Sequence, residues 1–116
     1  EDIYEPLAAA LVEYAKYIPV GDGMADGTLL GPVQNREQYE KVIDYINSVG
    51  KDGGHFLCGG EVPDQPGYFI PVSIAGGLAD DARLVTEEPF GPVLPLLKFK
   101  GLDDVIRRAN DSSYCL

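Results

Sequence analysis

The most informative stretch of the sequence is a turn that leads into an apolar run, Glu87-Glu88-Pro89-Phe90-Gly91-Pro92-Val93. Its prolines stiffen a loop at the start of a predicted strand over residues 93–99, the most apolar of the predicted strands. Such a loop can hold a polar and an aromatic side chain together, the first to accept hydroxyl hydrogen bonds from a sugar diol and the second to wall a planar ring. The residues alone leave a functional turn and a purely structural turn as equal alternatives.

The segments before this turn predict two helices. Apolar side chains in residues 2–18 recur at helical spacing, and Pro19 ends the pattern. A second helix is predicted after Asn35, a residue type that favours the N-cap position, with Gln38 three positions later as in a capping box. Its apolar face ends at Gly50, as is typical of a helix end.

Shorter segments predict strands and one more helix. Residues 55–58 predict a strand, residues 68–74 predict an irregular or edge strand because Pro71 interrupts them, and residues 75–83 predict a turn region. Residues 83–85 predict an extended segment, and residues 102–110 predict the last helix. The order helix, helix, strand, strand, strand, helix predicts an α/β fold, a layered sheet with flanking helices, in a single partial domain over residues 1–116.

Composition argues against several kinds of partner. The 116 residues are 45% hydrophobic and 24% charged, as in an ordinary globular domain. Asp and Glu number 19 against 9 Lys and Arg, a net charge of −10, so neither a nucleic acid nor an anionic membrane surface is expected as a partner. No apolar run is long enough to span a membrane.

The reactive side chains do not form a self-contained active site. The single histidine, His55, is expected at the exposed edge of a strand, and one histidine cannot build a multi-histidine metal site, so no metal is predicted. Cys58 and Cys115 stand in apolar contexts, so we expect free thiols that pack as small apolar side chains and are not nucleophiles. Two distant thiols without a disulfide framework indicate a reducing, cytoplasmic compartment.

Taken together, the motifs resemble those of the NAD(P)-dependent aldehyde dehydrogenases. Residues 87–93 resemble the E-x-F-G-P segment of that family, and the segments on both sides agree with it in order and spacing. These other matching segments are residues 2–4, 20–22, 31–32, 58–60, 67–70 and 108–111, with Tyr114 and Leu116. The resemblance covers the whole chain and implies part of the family's catalytic domain, in which the layered α/β sheet is incomplete.

The resemblance implies a nicotinamide cofactor, NAD or NADP, and four residues that approach it. Glu88 matches the glutamate that hydrogen-bonds the nicotinamide ribose hydroxyls, and Phe90 matches the phenylalanine that packs near the nicotinamide. Gln38 and Lys41 match positions that approach the ribose or the pyrophosphate. No catalytic residue is implied within the chain. The family's cysteine nucleophile, glutamate base and oxyanion asparagine would lie before it, in a longer protein that we call the parent enzyme.

The parent enzyme implied by the resemblance oxidises an aldehyde to a carboxylic acid. A thiolate attacks the aldehyde, hydride passes to NAD(P)⁺ from the thiohemiacetal, and water hydrolyses the thioester. The parent enzyme is expected to be a homo-oligomer, a dimer or a tetramer, and this chain alone is expected to be inactive. Two alternatives stay open at this point: a non-catalytic binding domain, and a purely structural domain derived from the same fold.

Overall fold

The computed structural model describes residues 2–114, so expectations that involve Glu1, Cys115 or Leu116 lie outside the described part of the chain. Helices and strands follow one another along these residues in an α/β arrangement, as predicted. In chain order they are α1 (Tyr4–Ala15), α2 (Arg36–Lys51), β1 (His55–Cys58), β2 (Ser73–Gly76), α3 (Arg83–Thr86), β3 (Val93–Leu96) and α4 (Leu102–Asn110).

The strands form one mixed sheet in the order β1-β2-β3. β1 pairs antiparallel with β2, with a register shift between Phe56 and Cys58. β2 pairs parallel with β3, with Ser73 opposite Val93. Every residue of β2 is buried, as expected for a central strand that is covered on both faces.

The two long helices cover opposite faces of this sheet. Ala75 of β2 belongs to a buried cluster with Val42 and Tyr45 of α2. The preceding residue, Ile74, lines an apolar groove together with Leu11 of α1. Because successive side chains of a strand point to opposite faces, the sheet is the middle layer between α1 and α2. The predicted layered sheet with flanking helices is therefore confirmed.

The start of α2 agrees with the prediction. Asn35 has an extended backbone (φ −159°, ψ 172°), and its side-chain oxygen accepts a hydrogen bond from the Gln38 N–H at 2.8 Å. This cap satisfies one of the amide groups that a helix leaves free at its start. The side chain of Gln38 does not turn back to Asn35 as a capping box requires, because it reaches the turn before β3.

The strand predicted over residues 68–74 is wrong in its bounds and in its place in the sheet. The observed strand, β2, begins only at Ser73, because Pro71 has no N–H to donate to a neighbouring strand. It is the central strand of the sheet. The Ser73 N–H donates to the Pro92 carbonyl at 2.8 Å. The Ser73 hydroxyl accepts from the Gly60 N–H and donates to the Pro71 carbonyl, each at 3.0 Å.

The extended segment predicted over residues 83–85 is a helical turn, α3. The N–H and the hydroxyl of Thr86 both donate to the Ala82 carbonyl, at 3.0 and 3.2 Å. Contacts that Arg83 makes with α2, described below, outweigh the strand preference of the β-branched residues here. The turn region predicted over residues 75–83 is also too long, because β2 continues through Gly76.

β3 is shorter than the predicted strand over residues 93–99, since it ends at Leu96. The residues that follow β3 contact α4 instead of a neighbouring strand. Nη1 of Arg108 donates to the Lys98 carbonyl at 2.6 Å. The same guanidinium binds both carboxylate oxygens of Asp80. Those hydrogen bonds hold the pKa of Asp80 below its ordinary value. Helix α1 is likewise shorter than residues 2–18, ending at Ala15.

Two properties of the described residues bear on function. None of the helices in this part of the chain is long and apolar enough to cross a membrane. Among residues 2–114, no group of three or more His, Cys, Asp or Glu side chains is arranged to hold a metal ion. His55 is exposed at the start of the edge strand β1, as predicted.

Candidate functional site

One face of α2 holds the turn that precedes β3, residues 87–91, which we call the 87–91 turn. Gln38, Val42 and Tyr45 are spaced so that they share this face of the helix. Gln38 and Tyr45 hydrogen-bond to the turn. Gly91 approaches the helix so closely that a Cβ at this position would lie 2.6 Å from Val42 Cγ2. Helix α2 therefore supports the turn from its first residue to its last.

Gln38 fixes the middle of the turn. Its Nε2 donates to the Pro89 carbonyl at 2.6 Å and lies 3.4 Å from the Phe90 carbonyl. Phe90 has a φ of 46°, in the left-handed region that costs a non-glycine residue about 1–3 kcal/mol. Because the Phe90 side chain is 72% exposed, burial of the ring does not hold this backbone in place. The contacts with α2 on either side of it do.

Glu87 is tied to α2 by its carboxylate. Its Oε2 accepts a hydrogen bond from the Tyr45 hydroxyl at 2.7 Å, and its Oε1 accepts one from Arg83 Nε at 3.3 Å. The Tyr45 hydroxyl, with the charge of Arg83, holds the pKa of Glu87 below its ordinary value. Burial, with the neighbouring Glu87, raises the pKa of Tyr45. The pair is therefore a neutral phenol donating to a charged carboxylate, one of the stronger kinds of hydrogen bond.

Arg83 joins α3 to the same place. Its guanidinium pairs with Asp44 of α2 and lies over the Tyr45 ring, with Cζ 4.5 Å from the ring centroid. The hydrogen bond to Asp44 raises the pKa of Arg83. The Glu87 carboxylate and the Arg83 guanidinium thus contact a phenol that is 0% exposed, and Asp44 binds the guanidinium. We call these residues, Asp44, Tyr45, Arg83 and Glu87, the Tyr45 cluster.

Glu88 is next to this cluster and is not part of it. Its side chain is half-buried, and within residues 2–114 no hydrogen bond or ion pair engages its carboxylate. The exposed ring of Phe90 lies two residues further along the same turn. A carboxylate without an internal partner beside an exposed aromatic ring, on a turn fixed by its neighbours, is an arrangement suited to a polar ligand with a planar ring.

Lys41 lies beside Tyr45. It is exposed on α2, and its ammonium is 5.9 Å from the centroid of the Tyr45 ring. The structure therefore brings Glu88, Phe90 and Gln38 together at the 87–91 turn, and it puts Lys41 beside the Tyr45 cluster. The primary amide of Gln38, which the resemblance directs at a cofactor, is used in a bond to the turn itself.

Sequence reasoning missed the Tyr45 cluster. No motif marks Tyr45, although its seven-residue separation from Gln38 puts both residues on one helix face. Asp44 and Arg83 are 39 positions apart, and nothing in the local sequence of either residue points to the other.

Cys58 is a free thiol in the structure, and it is half-buried in β1 where we predicted a buried side chain. We expect Cys58→Ser to leave the activity of the parent enzyme unchanged, because the thiol lies in a strand and is remote in sequence from the 87–91 turn. Activity assays of the variant and mass spectrometry of the native protein check this. Loss of activity, or a Cys58–Cys115 disulfide, would contradict it.

Comparisons with known proteins agree with the motifs. The pattern of the aldehyde dehydrogenase family matches residues 1–116. Aldehyde dehydrogenase 1A1 of Bos taurus is 43% identical over 116 residues, which are 100% of this chain and 23% of the relative. An NAD⁺ complex of an aldehyde dehydrogenase from Bacillus cereus has a TM-score of 0.93 at 38% identity, covering 98% of this chain and 23% of that one. An NADP-dependent enzyme of E. coli has a TM-score of 0.90 at 32% identity, covering 95% of this chain and 23% of that one.

The family pattern and the bovine relative match the full length of the chain in sequence. The solved structures match nearly all of it in fold. The chain belongs to the aldehyde dehydrogenase family. The resemblance inferred from its motifs is thereby confirmed. The chain spans 23% of the length of the bovine relative, roughly a quarter.

Proposed function

We propose that the chain is part of an NAD(P)-dependent aldehyde dehydrogenase, which oxidises an aldehyde to a carboxylic acid, and that the 87–91 turn forms one wall of its nicotinamide-ribose site. The observation that carries this proposal is the carboxylate of Glu88. It has no hydrogen-bond or ion-pair partner among residues 2–114, yet it stands on a turn that α2 fixes at Glu87 and at Pro89. The chain belongs to the aldehyde dehydrogenase family, whose reaction uses a nicotinamide cofactor with ribose hydroxyls that such a carboxylate can bind.

The side chains of the turn fit a nicotinamide riboside. A carboxylate accepts two hydrogen bonds readily, so Glu88 can bind both hydroxyls of a ribose. Phe90 offers an exposed ring against which a planar nicotinamide can pack. Lys41 brings a positive charge for the pyrophosphate region, and Gln38 serves the same site by holding the turn that carries Glu88.

In this proposal the bound cofactor supplies the hydride acceptor, and the chain supplies orientation. Holding a reacting ring in one geometry lowers the free-energy barrier of a transfer step, and a small displacement of the ring loses much of this gain. Glu88 would fix the ribose, and through it the orientation of the nicotinamide ring toward the thiohemiacetal carbon that gives up hydride. Phe90 limits where the ring can lie and keeps water from that side.

The partners follow from the same proposal. They are an aldehyde and either NAD or NADP, and relatives of similar structure include an NAD⁺ complex and an NADP-dependent enzyme. We propose a cytoplasmic location, which the free thiol of Cys58 supports. We also propose that the parent enzyme is a homo-oligomer, a dimer or a tetramer.

The isolated 116-residue chain is expected to form no NADH from NAD⁺ with propanal or benzaldehyde, because the resemblance puts nucleophile and base in the parent enzyme. The absorbance of NADH is the measurement, with the parent enzyme at equal molar concentration as the positive control. Steady NADH formation by the purified chain alone would show that it holds a nucleophile of its own, contrary to this assignment.

A further inference from the structure

We propose that Tyr45 and Arg83 are positioning residues for Glu88. By binding Glu87, they set the direction in which the next carboxylate is presented to the cofactor. The proposal rests on the function proposed above for Glu88. It adds a role for residues that neither the motifs of the turn nor the family resemblance point to.

Two adjacent carboxylates of the turn have contrasting surroundings. Glu87 accepts hydrogen bonds from the Tyr45 hydroxyl at 2.7 Å and from Arg83 Nε at 3.3 Å. Glu88 accepts none from residues 2–114. The backbone at Glu87 is extended, with φ −117° and ψ 156°, and successive side chains of an extended chain point to opposite sides. Binding Glu87 toward α2 therefore turns Glu88 away from α2, where a ligand can reach it.

Glu88 stands between two residues that are both anchored to one rigid element. Tyr45 holds Glu87 before it, and Gln38 holds the carbonyl of Pro89 after it. Both anchors project from the same face of α2, a helix of 16 residues. A residue whose two neighbours are fixed to one helix has little freedom of its own, and a site held in this way is preorganised for its ligand.

Loss of the Tyr45 hydroxyl would leave Glu87 with one hydrogen-bond donor fewer. Tyr45 is 0% exposed, and Arg83 lies across its ring with Cζ 4.5 Å from the centroid. Without the hydroxyl, Glu87 keeps only the longer bond from Arg83. Its carboxylate is then held less firmly and can turn toward the position of Glu88, where a second negative charge opposes the correct placement of the first.

Tyr45→Phe in the parent enzyme is the test, since it removes one hydroxyl and keeps the ring. The matched control is Tyr39→Phe on the same helix, whose ring packs at a tilt against Tyr68 and whose hydroxyl has no partner among residues 2–114. We expect Tyr45→Phe to lower kcat about tenfold and to raise KM for NAD⁺, with KM for the aldehyde unchanged. The primary deuterium isotope effect with 1-deuterated aldehyde should rise, because hydride transfer becomes slower relative to the other steps.

A double variant separates positioning from general damage. If Tyr45 acts through Glu88, adding Tyr45→Phe to Glu88→Gln should cost little further activity, because residues that act as a unit are not additive. Glu87→Ala removes the hydrogen bond between Tyr45 and Glu87 through its partly exposed partner. It should shift kcat and KM for NAD⁺ in the same direction as Tyr45→Phe. It supplies the answer if the tyrosine variant does not fold.

The outcomes that overturn the proposal are distinct from those that overturn the role of Glu88. If Tyr45→Phe lowers only the melting temperature, with kinetics and isotope effect equal to those of Tyr39→Phe, the Tyr45 cluster serves stability alone. Independent, multiplying losses in the double variant would also refute positioning. An unchanged kcat in Glu88→Gln itself would refute the proposed cofactor role, and the positioning role would fall with it.

Discussion

Replacement of Glu88 by glutamine in the parent enzyme is expected to lower kcat about a hundredfold while KM for the aldehyde changes little. Glutamine has nearly the shape of glutamate, and its amide carries one acceptor oxygen where the carboxylate has two. In the proposed site, one ribose hydroxyl would therefore lose its acceptor and face an N–H₂ group. The nicotinamide ring is then held less well for hydride transfer, whereas the binding of the aldehyde does not depend on this contact.

Steady-state kinetics with both substrates varied will measure this effect. Glu61→Gln is a suitable control, because Glu61 is an exposed glutamate in the loop after β1 and has no ion pair within the described part of the chain. The control should keep full activity, which removes net charge as an explanation. If Glu88→Gln matches the control in kcat, Glu88 does not belong to the cofactor site.

Gly59→Ala is expected to destabilise the fold by at least about 3 kcal/mol, a large share of the stability of an ordinary domain. Gly59 has a φ of 68°, which already costs a residue with a Cβ about 1–2 kcal/mol. A Cβ there would also lie 2.4 Å from the Val72 carbonyl oxygen and 2.7 Å from Ser73 Cα. Those atoms are backbone beside the central strand, so they cannot move aside as a flexible side chain would.

Two other glycines separate the causes of this loss. Gly53 has a φ of 79°, and no atom lies within 4 Å of the place that an alanine methyl group would take, so Gly53→Ala isolates the cost of the backbone conformation. Gly23 has neither a positive φ nor a neighbour within 4 Å, so Gly23→Ala should be close to neutral. Thermal and urea unfolding of the parent enzyme should rank the variants in the order Gly59, Gly53, Gly23 from most to least destabilised. Equal losses for Gly59→Ala and Gly53→Ala would mean that the close approach at Gly59 is relieved without cost.

The parts of the fold that could be predicted from the sequence are those whose signal is local. The apolar spacing of α2 and the cap at Asn35 lie within a few residues of each other, and both appear in the structure as predicted. The acidic first turn and basic last turn of α4 are local in the same way. These features need no knowledge of the rest of the chain.

The errors fall where distant residues decide the structure. Pro71 is a local signal for an irregular strand, but the centre of the sheet is set by pairing of Ser73 with Val93, twenty positions later. Arg83 adopts a helical turn because its partners are on α2. At the candidate site, the motif identifies Glu88 and Phe90, whereas their supports at Tyr45 and Gln38 are visible only once α2 has been laid against the turn.

The contacts between α2 and the 87–91 turn have a kinetic consequence. They join residues 42, 51 and 52 positions apart, with β1 and β2 in the intervening chain. Contacts of such long range repay the entropy of loop closure only after the chain between them has become compact. We therefore expect the turn to be completed late in folding, after β1 has paired with β2. Changes at Gln38 or Tyr45 should consequently speed unfolding more than they slow folding. We expect the contacts between α2 and the 87–91 turn to open before the pairing of β1 with β2.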